Sequence, residues 1–154
     1  MLDSLCLRQA PCLPNSGIKI QVQRIYERGN MDIRIDEKKN IVYITLEGES
    51  SGKEIVDLFQ RVLSMSGYKK GMARIWDLRN GDFTKSSLDD IFYVCDHTSM
   101  PDDDINDVRV ALVAGRDMSY AASSAFAAIS QGSDRRSINV VSSMEEAEEW
   151  VREG

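Results

Sequence analysis

Residues 73–88, ARIWDLRNGDFTKSSL, decide the fold class of this chain. An apolar run opens the segment and stops at Asp77, which is typical of a buried strand. A polar segment follows, and Ser86 and Ser87 stand where a helix places its N-cap. A buried strand, a polar crossover loop and a helix start, in this order, predict an α/β chain with its polar groups gathered at one edge of a sheet.

The residues before this segment divide into a leader and the start of a regular pattern. Residues 1–17 contain prolines and a glycine but no sustained hydrophobic period, which predicts a mobile tail. Residues 18–26 alternate apolar and polar side chains, a pattern that would add a strand to a sheet edge. The strong pattern begins at Met31, and a second interpretation takes that residue as the true start of translation. The predicted organisation is therefore a leader at 1–30, flexible or forming an added edge strand, and one domain at 31–154.

The segment after Met31 predicts an antiparallel hairpin and then a helix. Alternating isoleucines, a polar turn at 37–40 and a second apolar run at 41–46 indicate the hairpin. Ser50 or Ser51 is placed to cap the helix, and Gly67 is placed to end it as the C′ residue. The apolar positions of this helix recur at helical spacing and are Ile55, Phe59, Val62 and Leu63.

A second helix and a buried strand are expected on the far side of the opening segment. The helix begins close to Ser86, and Cys95 on its apolar face is expected to be a core thiol. The residues predicted for that face are Leu88, Ile91, Phe92 and Cys95. Residues 101–104 mark a turn, and the nearly continuous apolar run VRVALVA at 108–114 predicts a strand covered on both faces.

The C-terminal third of the chain repeats the alternation of helix and strand. Residues 120–130 predict a helix of small side chains. Its inward-facing line is expected to be Ala122, Phe126 and Ile129. A polar turn at 131–137 leads to a short strand at 138–141, and the S-x-x-E spacing of Ser143 and Glu146 predicts a capped final helix. The order β-β-α-β-α-β-α-β-α predicts an α/β fold with a mixed, mostly parallel sheet joined by right-handed crossovers.

Composition restricts the classes of function. The chain has 154 residues, of which 42% are hydrophobic, enough for one domain with a substantial core. A net charge of -6 and a pI near 4.8 argue against binding nucleic acid or an anionic membrane through general electrostatic attraction. The three cysteines show no CxxC spacing, and no apolar stretch suits a signal peptide or a membrane span. A cytoplasmic protein with reduced thiols is therefore expected.

Polar side chains cluster where the predicted parallel strands end, which is where binding sites of open α/β sheets usually form. These strand ends supply Asp77, Arg79, Arg116 and Asp117. The free amides of the helix N-termini lie at the same edge and favour a carboxylate or a phosphate. Helix capping and ordinary loop polarity are commoner reasons for such residues, so both interpretations stay open.

The chain offers few groups for catalysis or metal binding. His97 is its one histidine, and near a predicted helix C-terminus its commoner role is a favourable end charge. The aspartates at 102–104 lack the spacing and the glycine of a calcium loop. Neither a Ser-His-Asp triad nor a metal site can be assembled from these residues, so no catalytic residue, metal or cofactor is expected.

Four segments together resemble a known superfamily. They are ITLEG at 44–48, WDLR at 76–79, VALVAG at 110–115 and SSMEEAEEWV at 142–151. In order and spacing they resemble the STAS superfamily of sulphate transporter and anti-anti-sigma factor domains. The resemblance is closer to its SpoIIAA-like branch, small bacterial proteins related in fold to the CRAL-TRIO lipid-binding domains. It implies a non-enzymatic binding module with a STAS-like fold.

The resemblance also implies a phosphorylation site. In regulatory anti-anti-sigma members a strand aspartate, a D-F pair and a D-S-S-G turn precede the second helix, and the first serine of the turn is phosphorylated. Asp77, the pair at 82–83 and Ser86 fall in matching order, which makes Ser86 the counterpart. The chain departs from the motif at two positions, because Lys85 replaces the acid and Leu88 replaces the glycine.

Two hypotheses for the function follow. The first is a cytoplasmic binding or regulatory domain that contacts an unknown protein, or a second copy in a homodimer, through the surface around the second helix, with Ser86 as a switch and Ser87 beside it. The second is a carrier of a small lipophilic or anionic ligand, with Arg79 and Arg116 pairing its acidic end. Asp77 and Ser87 are the further candidates for binding this anion or ligand. A large apolar cavity under the second or third helix would favour the carrier. A filled core with an exposed apolar patch would favour the binding domain.

Overall fold

The computed structural model describes residues 31–98, 108–131 and 137–153, and the backbone of residues 22–28. These parts of the chain form six strands and four helices. In chain order they are β1 (Val22–Arg28), β2 (Met31–Asp36), β3 (Ile41–Glu49), α1 (Gly52–Leu63), β4 (Ala73–Asp82), α2 (Leu88–Thr98), β5 (Arg109–Val113), α3 (Met118–Gln131), β6 (Ser137–Val141) and α4 (Met144–Arg152). The predicted turns at 101–104 and 131–137, and residues 1–21, lie wholly or mainly outside the described residues.

All six strands form one sheet in the order β1-β2-β3-β4-β5-β6. The first three strands pair antiparallel, and β3 to β6 pair parallel. The predicted α/β class, the hairpin and the mostly parallel sheet are therefore confirmed. In the leader, β1 pairs with β2 from Val22 opposite Asp36 to Arg28 opposite Met31.

The sheet separates two apolar cores. The parallel strands β3 to β6 follow one another in the same direction across the sheet. The crossovers between them therefore place α1, α2 and α3 on the same face. The larger core, on that face, includes Ile44, Phe59, Trp76 and Leu112. The smaller core lies under α4 on the opposite face and includes Tyr43, Ile75, Ala111 and Val151. Because β4 is central and covered on both faces, alternate residues along it enter different cores.

A polar cluster holds α4 against the smaller core. The hydroxyl of Tyr43 donates to the carboxylate of Glu148 at 2.8 Å, and Lys39 pairs with the same carboxylate at 3.1 Å. Burial, together with the neighbouring Glu148 carboxylate, raises the pKa of Tyr43 well above its usual value. Tyr43 therefore stays protonated and donates this hydrogen bond across the physiological range.

Strand β4 is longer than the sequence pattern predicts. The sequence pattern predicts a strand near residues 73–78, but the strand continues to Asp82. Asn80, Gly81 and Asp82 pair with Glu47, Gly48 and Glu49 of β3. Backbone pairing with β3 continues here although the side chains have become polar. A prediction from the hydrophobic pattern therefore ends the strand too early.

The predicted start of α1 is correct, and its predicted end is wrong. Ser51 is the N-cap: its hydroxyl accepts from the Glu54 amide at 3.2 Å, and the Glu54 carboxylate accepts from the Ser51 amide at 2.7 Å. The helix ends at Leu63, and Ser64 is its C-cap with a hydroxyl that donates to the Arg61 carbonyl at 2.9 Å. The predicted end at Gly67 is therefore wrong, because Ser64 closes the helix earlier.

Helix α2 presents a different face to the core from the one predicted. Leu88 is 64% exposed and Phe92 is 48% exposed, so their assignment to the core is wrong. Cys95 is buried, as predicted, together with Thr98. The helix begins at Leu88, and Ser87 and Asp90 hydrogen-bond reciprocally across its first turn. The outward-facing residues Leu88 and Phe92 are spaced as on one face of a helix, and so are the buried residues Cys95 and Thr98. Spacing alone therefore does not show which face packs against the core.

Helices α3 and α4 follow the predicted positions with local differences. The most buried residues of α3 are Ser119, Ser123, Ala127 and Ser130. The predicted line through Ala122 is half-buried. In α4 the Ser143 hydroxyl accepts from the Glu146 amide as predicted, but the Glu146 carboxylate binds Ser142 instead of closing the box. Among the described helices, none combines the length and apolar character needed to cross a bilayer.

Candidate functional site

A cavity of about 90 Å³ lies between α2 and the sheet. Its floor includes Trp76 and Leu112, and its walls include Phe59 from α1, Val94 from α2 and Phe126 from α3. The lining is predominantly apolar, as in many small-molecule sites. The cavity therefore has the place and chemistry of a binding site for a small molecule.

The side chains of α2 and α3 account for this cavity. Helix α2 directs Leu88 and Phe92 outward and turns its half-buried Val94 and its Thr98 towards the sheet. Helix α3 contributes Ala122 and Ser123, which are small. Protein cores are normally packed as densely as organic crystals, so small side chains on both helices leave space above the sheet.

Arg74 lines this cavity from the middle of the sheet. It is 0% exposed, and its guanidinium carbon lies 4.8 Å from the centre of the Phe59 ring. Arginine stays protonated in proteins, so Arg74 brings a permanent positive charge into a mostly apolar enclosure. The Phe59 ring stabilises part of that charge through a cation–π contact.

Two buried hydroxyl groups also line the cavity. Ser50 is 8% exposed and Ser123 is 2% exposed, and neither hydroxyl has a hydrogen-bond partner among the described residues. The nearby Thr98 differs, because its hydroxyl donates to the Val94 carbonyl at 2.6 Å. A buried polar atom without a partner costs free energy, so Ser50 and Ser123 point to a polar group of a ligand.

A polar cleft of about 340 Å³ adjoins the cavity and shares Ser50, Ser86 and Asp90 with it. The charged side chains of the cleft are Glu49, Glu54, Asp82, Lys85 and Asp90. Lys85 pairs with Glu49 at 3.2 Å. Hydrogen bonds from Thr84 hold the pKa of Asp82 below its usual value, and those from Ser87 do the same for Asp90. The cleft is therefore acidic at neutral pH.

Asp77 and Arg79, which the sequence proposes for anion binding, pair with each other. The guanidinium donates to both carboxylate oxygens, at 2.8 and 2.7 Å. Burial alone would raise the pKa of Asp77, but the hydrogen bonds from Arg79 outweigh it and the pKa lies below its usual value. Neither residue lines the cavity or the cleft.

This ion pair predicts a pH-dependent contribution to stability. Because the pKa of Asp77 is lower in the folded chain, the stabilisation is present above the unfolded pKa near ~3.9 and is lost as the pH falls through the folded value. Asp77→Asn should lower the free energy of unfolding by about 0.5–1 kcal/mol at pH 7, since the pair is partly exposed. The difference from the unmodified chain should shrink as the pH falls from 5 to 3 in urea titrations. A difference that stays constant over this range would contradict the assignment.

The remaining sequence-proposed residues lie at helix starts. Ser87 bonds Asp90 as described, and Ser86 is half-buried with its amide donating to the Phe83 carbonyl at 3.1 Å. Arg116 is exposed before α3 and lies outside the cavity lining. Asp117 accepts from the Ser119 hydroxyl at 2.7 Å, and this bond lowers its pKa. Of the proposed residues, the structure brings Ser86 alone to the cavity.

Sequence reasoning missed Arg74, Ser50 and Ser123. A signal for Arg74 was available, because it occupies an inward-facing position, in step with Trp76, in a strand covered on both faces. An arginine at such a position must be buried if the strand is central. The serines carry no comparable signal, since small polar residues suit caps and close helix packing equally well.

A comparison with solved structures finds a similar protein. The chain is similar to a SpoIIAA-like protein. The similar protein is an uncharacterized DUF3478-family protein from Shewanella loihica PV-4. Its crystal structure is described as having a SpoIIAA-like fold. The TM-score is 0.48 at 13% identity, and the match covers 79% of this chain and 91% of that one. No family model and no curated protein sequence matches the chain.

Proposed function

We propose that the chain is a ligand-binding domain that holds a small, mostly apolar molecule in the cavity beneath α2. The observation that carries this proposal is an apolar cavity whose lining includes the buried, unpartnered hydroxyls of Ser50 and Ser123. Packing that served stability alone would place apolar groups at such positions. The cavity therefore favours the ligand carrier over the protein-binding domain that the sequence placed first.

The volume limits the size of the molecule. A cavity of about 150 Å³ lined by apolar side chains holds benzene, which has six carbons. In proportion, the cavity of about 90 Å³ suits a ligand with about four non-hydrogen atoms enclosed. A larger molecule would extend into the adjoining polar cleft.

Binding without catalysis is the simplest role for this site. A nucleophilic serine needs a base within hydrogen-bond reach, and the hydroxyls of Ser50 and Ser123 bond no base among the described residues. The domain would therefore carry or sense its ligand.

Xenon provides a direct test, because it enters apolar cavities and carries no charge. Methyl resonances of Val94 and Val110, which line the cavity, should shift with xenon pressure in two-dimensional NMR spectra. Those of Val151, in the core under α4, should stay unchanged and serve as the internal control. Equal shifts in both cores, or none in either, would contradict the proposal.

A protein-binding role is a second candidate, favoured by the outer face of α2. Leu88, Phe92 and Tyr93 are large apolar side chains and are 64%, 48% and 38% exposed. A second copy of the chain is the simplest partner for such a face. Sedimentation equilibrium should then show a dimer that Phe92→Glu converts to a monomer. If the unmodified chain is already a monomer, the dimer is rejected and ligand binding remains the proposed function.

Phosphorylation of Ser86 stays a prediction. Ser86 lines the acidic cleft, where Asp82, Asp90 and the Lys85–Glu49 pair lie close by. A phosphate carries nearly two negative charges and is destabilised beside carboxylates. These charges do not favour Ser86 as a switch, and mass spectrometry of the protein from its native host would test it.

A further inference from the structure

We infer that the ligand is a primary alkylammonium ion whose hydrocarbon chain fills the cavity and whose charged end lies in the acidic cleft. The inference rests on the proposed function, because it names the chemical class of ligand for the same cavity. Ser50, Ser86 and Asp90 line both the cavity and the cleft, so one short molecule can reach both.

The charge of the cleft favours a cation. Among the described residues, four carboxylates and one ammonium group line it, which gives a net charge of -3 when all are ionised. The hydrogen bonds that lower the pKa values of Asp82 and Asp90 keep both side chains deprotonated at neutral pH. Lys85 already places its ammonium group 3.2 Å from the carboxylate of Glu49. The cleft therefore accommodates an ammonium group and has carboxylates in excess of the one that Lys85 pairs.

The helix starts beside the cleft do not favour an anion. A helix N-terminus carries a charge of about +0.5 and attracts anions through its free amides. At the start of α1 the Glu54 carboxylate accepts from the Ser51 amide at 2.7 Å. At the start of α2 the Asp90 carboxylate accepts from the Ser87 amide at 2.9 Å. Each carboxylate brings a full negative charge to its helix end, so a cation is favoured over a phosphate or a carboxylate.

Ser50 points to a ligand independently of these charges. It is 8% exposed, and its hydroxyl has no hydrogen-bond partner among the described residues. A buried hydroxyl that stays unpaired costs free energy, and its oxygen can accept from an N–H group. A primary ammonium group has three N–H donors, as in lysine. It would donate one to Ser50 and keep the others for the carboxylates and for water.

Two other classes of cation fit the cleft less well. A metal ion needs several ligands that converge on one point. In the part of the chain that the structure describes, no group of three or more histidine, cysteine or acidic side chains does so. Quaternary ammonium ions are recognised by aromatic side chains, and the described lining of the cleft has none. A primary ammonium ion needs neither arrangement.

The strand and the cavity volume set the orientation and length of the ligand. Arg74 is the second residue of β4, and Asp82 is the last. Eight residues of strand separate them by about 26 Å, so an ammonium group in the cleft lies far from the buried guanidinium. The cavity encloses about four carbon atoms. A chain of about five carbons therefore places its nitrogen in the cleft.

The experiment compares n-pentylamine with 1-pentanol, a neutral molecule of the same length. The amine is protonated at pH 7, as the lysine side chain is. Titration calorimetry at an ionic strength of about 0.1 M limits charge effects to distances of about 10 Å. It should give a dissociation constant at least tenfold lower for pentylamine than for pentanol.

Asp90→Asn tests the site of the ammonium group. It removes one negative charge from the cleft, and its amide oxygen can still accept from Ser87. The preference for pentylamine should fall at least threefold. Asp89→Asn is the matched control, because it makes the same change at the neighbouring position of α2. Asp89 is exposed and outside both linings, so the preference should change less than twofold.

Each result assigns the failure to one proposal. If xenon binds but pentylamine binds no more tightly than pentanol, or does not bind, the ammonium assignment is overturned and the ligand-binding domain remains. If xenon and both compounds fail to bind, the proposed function fails as well. Equal losses of preference in Asp89→Asn and Asp90→Asn would show a general effect of the chain's negative charge and would overturn the assignment.

A second variant covers the case in which Asp90→Asn loosens the start of α2. Ser50→Ala removes the unpaired hydroxyl, so it should not lower the free energy of unfolding. It should weaken pentylamine binding at least threefold and leave the xenon-induced shifts unchanged. Unaltered pentylamine binding in Ser50→Ala would overturn the placement of the ammonium group at this junction.

Discussion

Phe59→Ala is expected to lower the free energy of unfolding by about 4 kcal/mol. Phe59 is 1% exposed in α1 and forms part of the cavity wall. Its removal would join the volume of the ring to the existing cavity, which the neighbouring side chains cannot fill. It would also take the aromatic ring away from the buried guanidinium of Arg74, 4.8 Å from the ring centre.

Phe92→Ala is the matched control for this substitution. It makes the same chemical change on α2, where Phe92 is 48% exposed. The expected loss is about 0.5 kcal/mol, as for most surface positions. Urea unfolding followed by tryptophan fluorescence and by circular dichroism would measure both variants. Similar losses in the two variants would mean that the larger core does not depend on Phe59 in the way that its burial indicates.

Ala122→Leu is expected to abolish ligand binding and to raise the free energy of unfolding by about 2 kcal/mol. Ala122 is half-buried on α3 and lines the cavity. Leucine adds three carbons, and each buried methylene contributes about 0.8 kcal/mol. The added atoms would occupy most of a cavity that accommodates about four non-hydrogen atoms. Leucine is also a good helix former, so the backbone should not change.

Ala121→Leu is the matched control, because it places the same side chain one residue away on the exposed side of α3. It should leave the stability and the binding of xenon close to those of the unmodified chain. Thermal unfolding and the xenon-induced NMR shifts would compare the pair. Unchanged binding in Ala122→Leu would place the ligand elsewhere in the molecule.

Much of the fold follows from hydrophobic period and capping chemistry. The apolar run at 108–114 predicts β5 because a strand covered on both faces is apolar nearly throughout. Ser143 predicts the start of α4, since it lies three residues before Glu146. Ser50 or Ser51 predicts the start of α1, because serine is a favoured N-cap residue. These signals are local, so the chain order of the elements can be predicted without knowledge of their packing.

The candidate site depends on relations that are not local. Which face of α2 turns inward depends on its neighbours, and Leu88 is as apolar as the side chains that do turn inward. A cavity arises from side chains on different elements and has no motif. The rule that sites form beyond the strand ends led to Asp77, Arg79 and Arg116, whereas the cavity lies beneath the helices. Arg74 was predictable as a buried residue, but its position in the lining of the cavity was not.

The division of the molecule by its sheet has a practical use. Tyr43, Lys39 and Glu148 hold α4 on the face opposite the cavity. Glu149 is exposed on that helix, so a cysteine or biotin introduced there would tether the protein to a sensor surface with its cavity side facing the solution. Immobilised in this orientation, the domain is suited to screening libraries of small molecules with its binding site unobstructed.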